Sequence, residues 1–253
     1  MFEDSKTFNE CFYDACDSGN VELIDLMLQS ERKIKTDFDH QICKASENGH
    51  VAAVDRLLQQ NIEIDQEELD LAIQIASQNG HISVVDRLLQ EDSVNPSINE
   101  NYAVRNACFN GHISVVERLL QDNRVDPSIN NNDAICWACE KGHLYVVDRL
   151  LHENRVDPTT NRNEAILNAS NNGYVAIVDR LLQDSRVDPS DDDNYSLFAA
   201  CMSNHIDVVK RLLQDKRVDP ADSIQSLERR TRISNLIHER REEILYLLSL
   251  LKK

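Results

Sequence analysis

Apolar residues along this 253-residue chain recur in a fixed order. Each unit can be numbered from a mark at Gly19, Gly49, Gly80, Gly111, Gly142, Gly173 and, in the last register, Asn204. Seven residues before each mark stands an apolar anchor: Phe12, Ile42, Ile73, Val104, Ile135, Ile166 and Leu197. Four before it is always alanine: Ala15, Ala45, Ala76, Ala107, Ala138, Ala169 and Ala200. Three before it is a small residue: Cys16, Ser46, Ser77, Cys108, Cys139, Ser170 and Cys201. Spacings of three and four predict one buried stripe of a short helix. The invariant alanine predicts a neighbouring helix too close for any larger side chain. Glycine then ends that helix in the left-handed cap conformation. Beyond the mark, apolar residues fall two, four, five, eight and nine positions on, as in Ile113, Val115, Val116, Leu119 and Leu120. These predict a second, amphipathic helix.

The marks are 31 residues apart (30 for the first pair), and so are all five prolines, Pro96, Pro127, Pro158, Pro189 and Pro220. Each proline sits in a turn such as Val125–Ser128 or Val156–Thr159, where it stops the helix and biases its predecessor to extended backbone. Each unit therefore reads as a short helix, a tight turn, a longer helix and a projecting loop. The loop tips are expected at 99–101, 130–132, 161–163 and 191–194. A single unit cannot bury these faces; stacked units can. Seven units at helix-packing distances of roughly 8–10 Å predict a rod on the order of 60–70 Å long. The expected organisation is one all-α solenoid over residues 1–253. Residues 1–30 form an N-terminal cap repeat, with Leu26 where later units have arginine, and 31–221 are internal repeats. Residues 222–253 form a divergent cap of two helices, near Ser223–Ile237 and Glu239–Leu250.

The net charge of −17 disfavours phosphate backbones and anionic lipid heads, so neither nucleic acid nor membrane is an expected partner. Residues 222–253 carry seven Lys/Arg against five Asp/Glu, which leaves −19 on the rest. No signal peptide is visible at the N-terminus, and the longest apolar cluster, Ile244–Leu251, is too short to span a bilayer. An odd number of cysteines, seven, suits a reducing compartment, and a cytoplasmic, monomeric protein is expected.

The stretches Ala45–His50 (Ala-Ser-Glu-Asn-Gly-His) and Ala107–Leu120 (Ala-Cys-Phe-Asn-Gly-His-Ile-Ser-Val-Val-Glu-Arg-Leu-Leu) resemble the ankyrin repeat family. The resemblance runs from about Phe12 to Pro220 in seven in-register copies. It departs from the family in lacking the Thr-Pro-Leu-His opening of the first helix. Its period is also shorter than the usual ~33 residues. This short, asparagine-rich form is similar to repeats of protists, their large DNA viruses and their intracellular bacteria, so a host cytosol is one expected setting. The resemblance implies binding of proteins without catalysis, on a concave groove made by the first helices and loop tips.

Several residues could suggest chemistry. Cys136 and Cys139 have Cys-x-x-Cys spacing, but each shares its slot with other repeat cysteines, and no second pair completes a metal site. They read as small buried hydrophobes. His50, His81, His112, His143 and His205 all follow the mark, and a periodic histidine reads as a turn-bonding residue. The arginines at 56, 87, 118, 149, 180 and 211, each preceded by an acid or a lysine, read as a solvated salt network, with an anion-binding ridge as the alternative. Asp191–Asp193 lack the glycine and glutamate of a calcium loop. No metal, cofactor or small-molecule substrate is expected, and no catalytic residue is assigned.

Function is expected where the repeats differ. The variable positions are five, two and one residues before the mark, spaced to share a face of the first helix. The candidate protein-binding residues there are Trp137, Phe109, Tyr102, Glu140, Lys141, Asn106, Tyr195 and Met202. Trp137, the single tryptophan, is either a groove anchor or a packing residue between first helices. The surrounding acids favour a partner protein with a basic or mixed-charge surface. Two functions follow: a binding scaffold, or an adaptor whose 242–251 helix docks a second protein.

Overall fold

The computed structural model describes residues 5–29, 40–59 and 64–218. The expected C-terminal helices, in either role, lie outside the described residues, as does Pro220. The described residues form fourteen α-helices and no strand. They group into two compact units that part between Pro127 and Ser128.

The first unit holds α1 (Ser5–Ser18), α2 (Val21–Leu28), α3 (Gln41–Glu47), α4 (Val51–Gln59), α5 (Gln66–Gln78), α6 (Ile82–Leu88), α7 (Ile98–Asn110) and α8 (Ile113–Leu120). The odd-numbered helices pack in sequence as one layer and the even-numbered helices as another. The second unit repeats this with α9 (Ile129–Lys141), α10 (Leu144–Leu151), α11 (Thr160–Asn171), α12 (Val175–Leu182), α13 (Asp191–Met202) and α14 (Ile206–Leu213). This is the layered repeat that the apolar pattern predicts, but the expected lengths are reversed in most units, as in α5 with 13 residues against 7 in α6.

The column of alanines is its tightest seam: all seven are at most 1% exposed. Anchors such as Phe12, Ile73 and Ile135 are buried beside them. Every described mark residue has positive φ, from 61° at Asn204 to 84° at Gly142. The amide two steps into each turn closes the cap, as when His112 N–H donates to the Ala107 carbonyl at 2.9 Å.

The segment after the second helix departs from an open loop. Asp157 explains the Val-Asp-Pro-Thr turn: its Oδ1 accepts from the Thr159 amide (2.9 Å) and hydroxyl (2.7 Å), bridging over Pro158. Asp188 and Asn95 do the same for Ser190 and Ser97. The four described prolines of these turns are buried. Three residues then adopt left-handed backbone: 99–101, 130–132, 161–163 and 192–194, with φ between 49° and 62°. In each triplet the third amide donates to the carbonyl four residues back, at 3.0 Å for Asn101 to Ser97 and for Asn132 to Ser128. This is one turn of left-handed helix. Asparagine and aspartate dominate the triplets because their short polar side chains tolerate this region best.

The expected solvated loop tips therefore need one correction. The first two residues of each triplet are exposed or half-buried, but Asn101, Asn132, Asn163 and Asn194 are buried. Asn101 Oδ1 accepts the Asp126 amide and Asn132 Oδ1 accepts the Asp157 amide, each at 2.8 Å and 25 residues away. In α5 the same register holds Asp70, which accepts the Asn95 amide at 2.6 Å. Asp70, Asn101 and Asn132 thus join successive repeats, Asn163 does so through its Nδ2 bond to Asp191, and the Oδ1 atoms of Asn163 and Asn194 are buried without a hydrogen-bond partner.

Candidate functional site

The layers divide the polar side chains into structural ladders and a remaining face. On the histidines, Nε2 lies 3.0 Å from the Asp17 carbonyl for His50, 2.8 Å from Glu47 for His81 and 2.9 Å from Gln78 for His112. In the second unit His205 lies 3.0 Å from the Asn171 carbonyl. A carbonyl only accepts, so Nε2 carries the proton and ties one turn to the turn before it.

The arginines are equally committed. Arg87 and Arg118 reach Asp55 and Asp86 of the preceding repeat at 2.6 Å, and Arg211 reaches Asp179 at 2.6 Å. Their partner is thus the acid 32 residues back and not the adjacent one in sequence. A second set near the turns grips both ways. Arg186 forks onto Asp184 and donates to the Val156 carbonyl at 2.8 Å, and Arg124 does the same with Asp122 and the Val94 carbonyl at 2.7 Å. These arginines form inter-repeat clasps, with guanidiniums already occupied by carboxylates and carbonyls. The hydrogen bonds from Arg124, Arg186 and Arg217 hold Asp122, Asp184 and Asp215 below the ordinary carboxylate range.

The cysteines pack. Cys136 is 2% exposed and Cys139 fully buried. Burial pushes the Cys136 thiol up to about 12, and raises Cys139 too, which opposes the thiolate that redox or metal chemistry requires. Two of the aspartates at 191–193 have partners in the neighbouring turn: Asp191 accepts from Asn163 Nδ2 at 2.8 Å, and Asp192 lies 3.6 Å from Arg162, while Asp193 is exposed. No group of three or more His, Cys, Asp or Glu side chains is placed to hold a metal ion among the described residues.

What remains is the outer face of the first helices, at nine, five and two positions before each mark. In the first unit Tyr102 (36% exposed), Asn106 and Phe109 line this face of α7, with Asn106 Nδ2 held by the Tyr102 carbonyl at 3.1 Å. Of their neighbours on α5, the sequence reading held Ile75 as a variable position but missed Leu71. Leu71, 40% exposed, stands 31 residues before Tyr102, and half-buried Ile75 stands 31 before Asn106. Register alone could have found Leu71.

In the second unit Trp137 is half-buried at the centre of α9, between half-buried Asp133 and Glu140. Lys141 is exposed and pairs with Glu140 at 2.8 Å. On α11 the corresponding residues are Glu164, Asn168 and Asn171, with Asn168 Nδ2 bonded to the Cys136 carbonyl at 3.3 Å. On α13, Tyr195 and Met202 are half-buried, and Tyr195 stacks on Phe198 with ring centroids 5.8 Å apart. Phe198 was not anticipated: its slot holds Tyr13, Cys43, Gln74, Arg105, Cys136 and Leu167 in the other repeats, a mixed column with no common polarity. The eight candidates therefore fall into two groups, one in each unit.

In some units the position just before the mark is committed across repeats. Asn48 and Asn79 donate to the Asp17 and Glu47 carbonyls of the preceding turn, at 3.2 and 3.1 Å. The most exposed large apolar side chain among the described residues is Tyr145, at 79%, on the opposite layer in α10. Other repeats have Glu22, Ala52, Ser83, Ser114, Ala176 or Asp207 there.

A family model for ankyrin repeats matches three overlapping stretches of the chain, residues 12–100, 73–162 and 135–224. No curated protein matches the chain.

Proposed function

The chain belongs to the ankyrin repeat family, and from that premise we propose a non-enzymatic scaffold that captures a partner protein on the outer face of its first helices. Ankyrin repeats mediate protein–protein interaction, and in this family that face lines the concave groove. The observation that carries the reading is the division of labour between layers. Histidines, arginines and the buried Asn101 and Asn132 are committed to joining repeats, whereas the first-helix face varies from repeat to repeat and holds half-buried Trp137. Acids at 133, 140 and 164 around that indole favour a partner with a basic or mixed-charge surface. No described helix is long and apolar enough to cross a membrane. We place the protein in the cytoplasm as a monomer, with no nucleic acid, lipid or small molecule as ligand.

The charge contrast of residues 222–253 supports a second reading, in which that segment docks a further protein and the chain acts as an adaptor. Deleting 223–253 separates the two. Lost stability marks a cap, whereas a folded chain that has lost one partner marks a docking segment.

Affinity capture with wild type, Trp137→Ala and Tyr145→Ala tests the main reading, after circular dichroism shows equal folding. A central aromatic anchor contributes about 2 kcal/mol or more, so Trp137→Ala should lose a partner that Tyr145→Ala retains. Loss on Tyr145→Ala alone would move the site to the opposite layer.

A further inference from the structure

Four of the six glycines that end first helices follow an asparagine: Asn48–Gly49, Asn79–Gly80, Asn110–Gly111 and Asn172–Gly173. A glycine offers no side chain to shield its nitrogen, which opens such a pair to self-attack. The glycine nitrogen bonds to Cγ of the asparagine. The side-chain nitrogen leaves as ammonia and takes up the glycine's proton. Water then opens the cyclic imide at either carbonyl, giving aspartate or isoaspartate. In sum, asparagine and water become an acid and ammonia.

The fold opposes ring closure, but unequally at the four positions. Asn48, Asn79 and Asn172 have ψ of 1°, −1° and 0°, which turns the following nitrogen away from the side chain. Each glycine amide also donates to the carbonyl three residues back, at 3.3 Å for Gly49, Gly80 and Gly111 and at 3.4 Å for Gly173. The side-chain amides differ more. Asn48 Nδ2 donates to the Lys44 carbonyl (3.2 Å) and to both the carbonyl and carboxylate of Asp17 (3.2 and 3.1 Å). Asn79 Nδ2 donates to the Glu47 carbonyl at 3.1 Å. Both reach the turn of the preceding repeat. Asn110 and Asn172 donate within their own helix, to Asn106 and Asn168, each at 2.9 Å. Fraying of a last helical turn releases these two, whereas releasing Asn48 or Asn79 requires neighbouring turns to part.

We propose that Asn110 and Asn172 are sites of spontaneous deamidation in the folded protein, and that inter-repeat hydrogen bonds protect Asn48 and Asn79. Conversion puts a carboxylate at the C-terminal end of a helix, where the macrodipole disfavours it. It also adds negative charge beside Phe109 and Asn171, on the edge of the first-helix face.

The test is an incubation of the full chain at neutral to mildly alkaline pH. Timed samples are digested, and amide, aspartate and isoaspartate forms are quantified at each site by mass spectrometry. In native buffer Asn110 and Asn172 should convert about fivefold faster than Asn48 and Asn79, the factor for one net hydrogen bond. In concentrated urea the four rates should converge. Equal native rates, or Asn48 or Asn79 leading, would overturn the proposal. A rate order that persists in urea would overturn it too, since local sequence would then set the order.

Discussion

A Cβ placed on Gly80 would lie 2.5 Å from Nδ1 of His112, on a backbone whose φ is +78°. The position therefore excludes other residues twice, by conformation and by the ring packed over it. Gly80→Ala should cost about 3 kcal/mol in urea denaturation, summing left-handed strain and steric overlap. Adding His112→Ala should return the steric part, set against the lost tie to the Gln78 carbonyl of about 1 kcal/mol, and leave the strain. Ser77 makes the opposite point: its hydroxyl is fully buried with no hydrogen-bond partner, in a slot that cysteine fills in other repeats. Ser77→Ala should raise stability by about 1 kcal/mol, because an unpaired buried polar group is lost without leaving a large void. An unchanged or lower melting temperature would show that the hydroxyl serves a bond the native fold needs.

Among the elements, the left-handed turns hold the largest difference between sequence and structure. Both helices of each unit were legible, because apolar spacing and an invariant alanine report burial directly. The triplets looked like loop tips because asparagine and aspartate signal solvent and left-handed backbone alike. Only the side chain of the third residue, bonded 25 positions on, separates the two. Asn131, exposed at φ 57°, sits mid-turn. Asn131→Gly should be within about 0.5 kcal/mol of wild type, whereas Asn131→Val should cost about 2 kcal/mol, since β-branched residues are outliers at positive φ. Asn132→Ala should cost about 2 kcal/mol by adding a lost hydrogen bond to the strain. Thermal denaturation of the three variants would rank them.

For the whole molecule, the clasps between repeats set a pH dependence. Asp122, Asp184 and Asp215 titrate below their ordinary range when folded, chiefly through hydrogen bonds from Arg124, Arg186 and Arg217. The folded state thus holds fewer protons on them than the unfolded chain between the two pKa values. Their contribution is complete above the unfolded carboxylate value, about 3.9, and is lost as pH falls through the depressed folded values. Arg186→Gln should therefore flatten the acid limb of a stability-against-pH curve measured with urea. An unchanged limb would discount the clasp. The arginine ladders were visible in the sequence, but their pairing across repeats was not, because an adjacent acid at Asp86 or Asp179 looked like the natural partner. The candidate face was legible as the variable columns. Leu71 was within reach, since it shares the column of Tyr102 and Tyr195, whereas Phe198 escaped because its column mixes apolar and polar residues that carry no sign of exposure.

The ladders also constrain how such a chain can change length in descent. Amide-to-asparagine bonds span 25 residues, arginine-to-aspartate pairs span 32 and most histidine-to-carbonyl ties span 34. Inserting one residue inside a repeat shifts the register of all three ladders at once. Gaining or losing 31 contiguous residues returns every donor to an equivalent acceptor, because Asp55, Asp86, Asp148 and Asp179 are interchangeable in kind. Gene duplication and loss in whole-repeat steps is thus the path that physics leaves open, and homologues should differ in repeat number more readily than in repeat length.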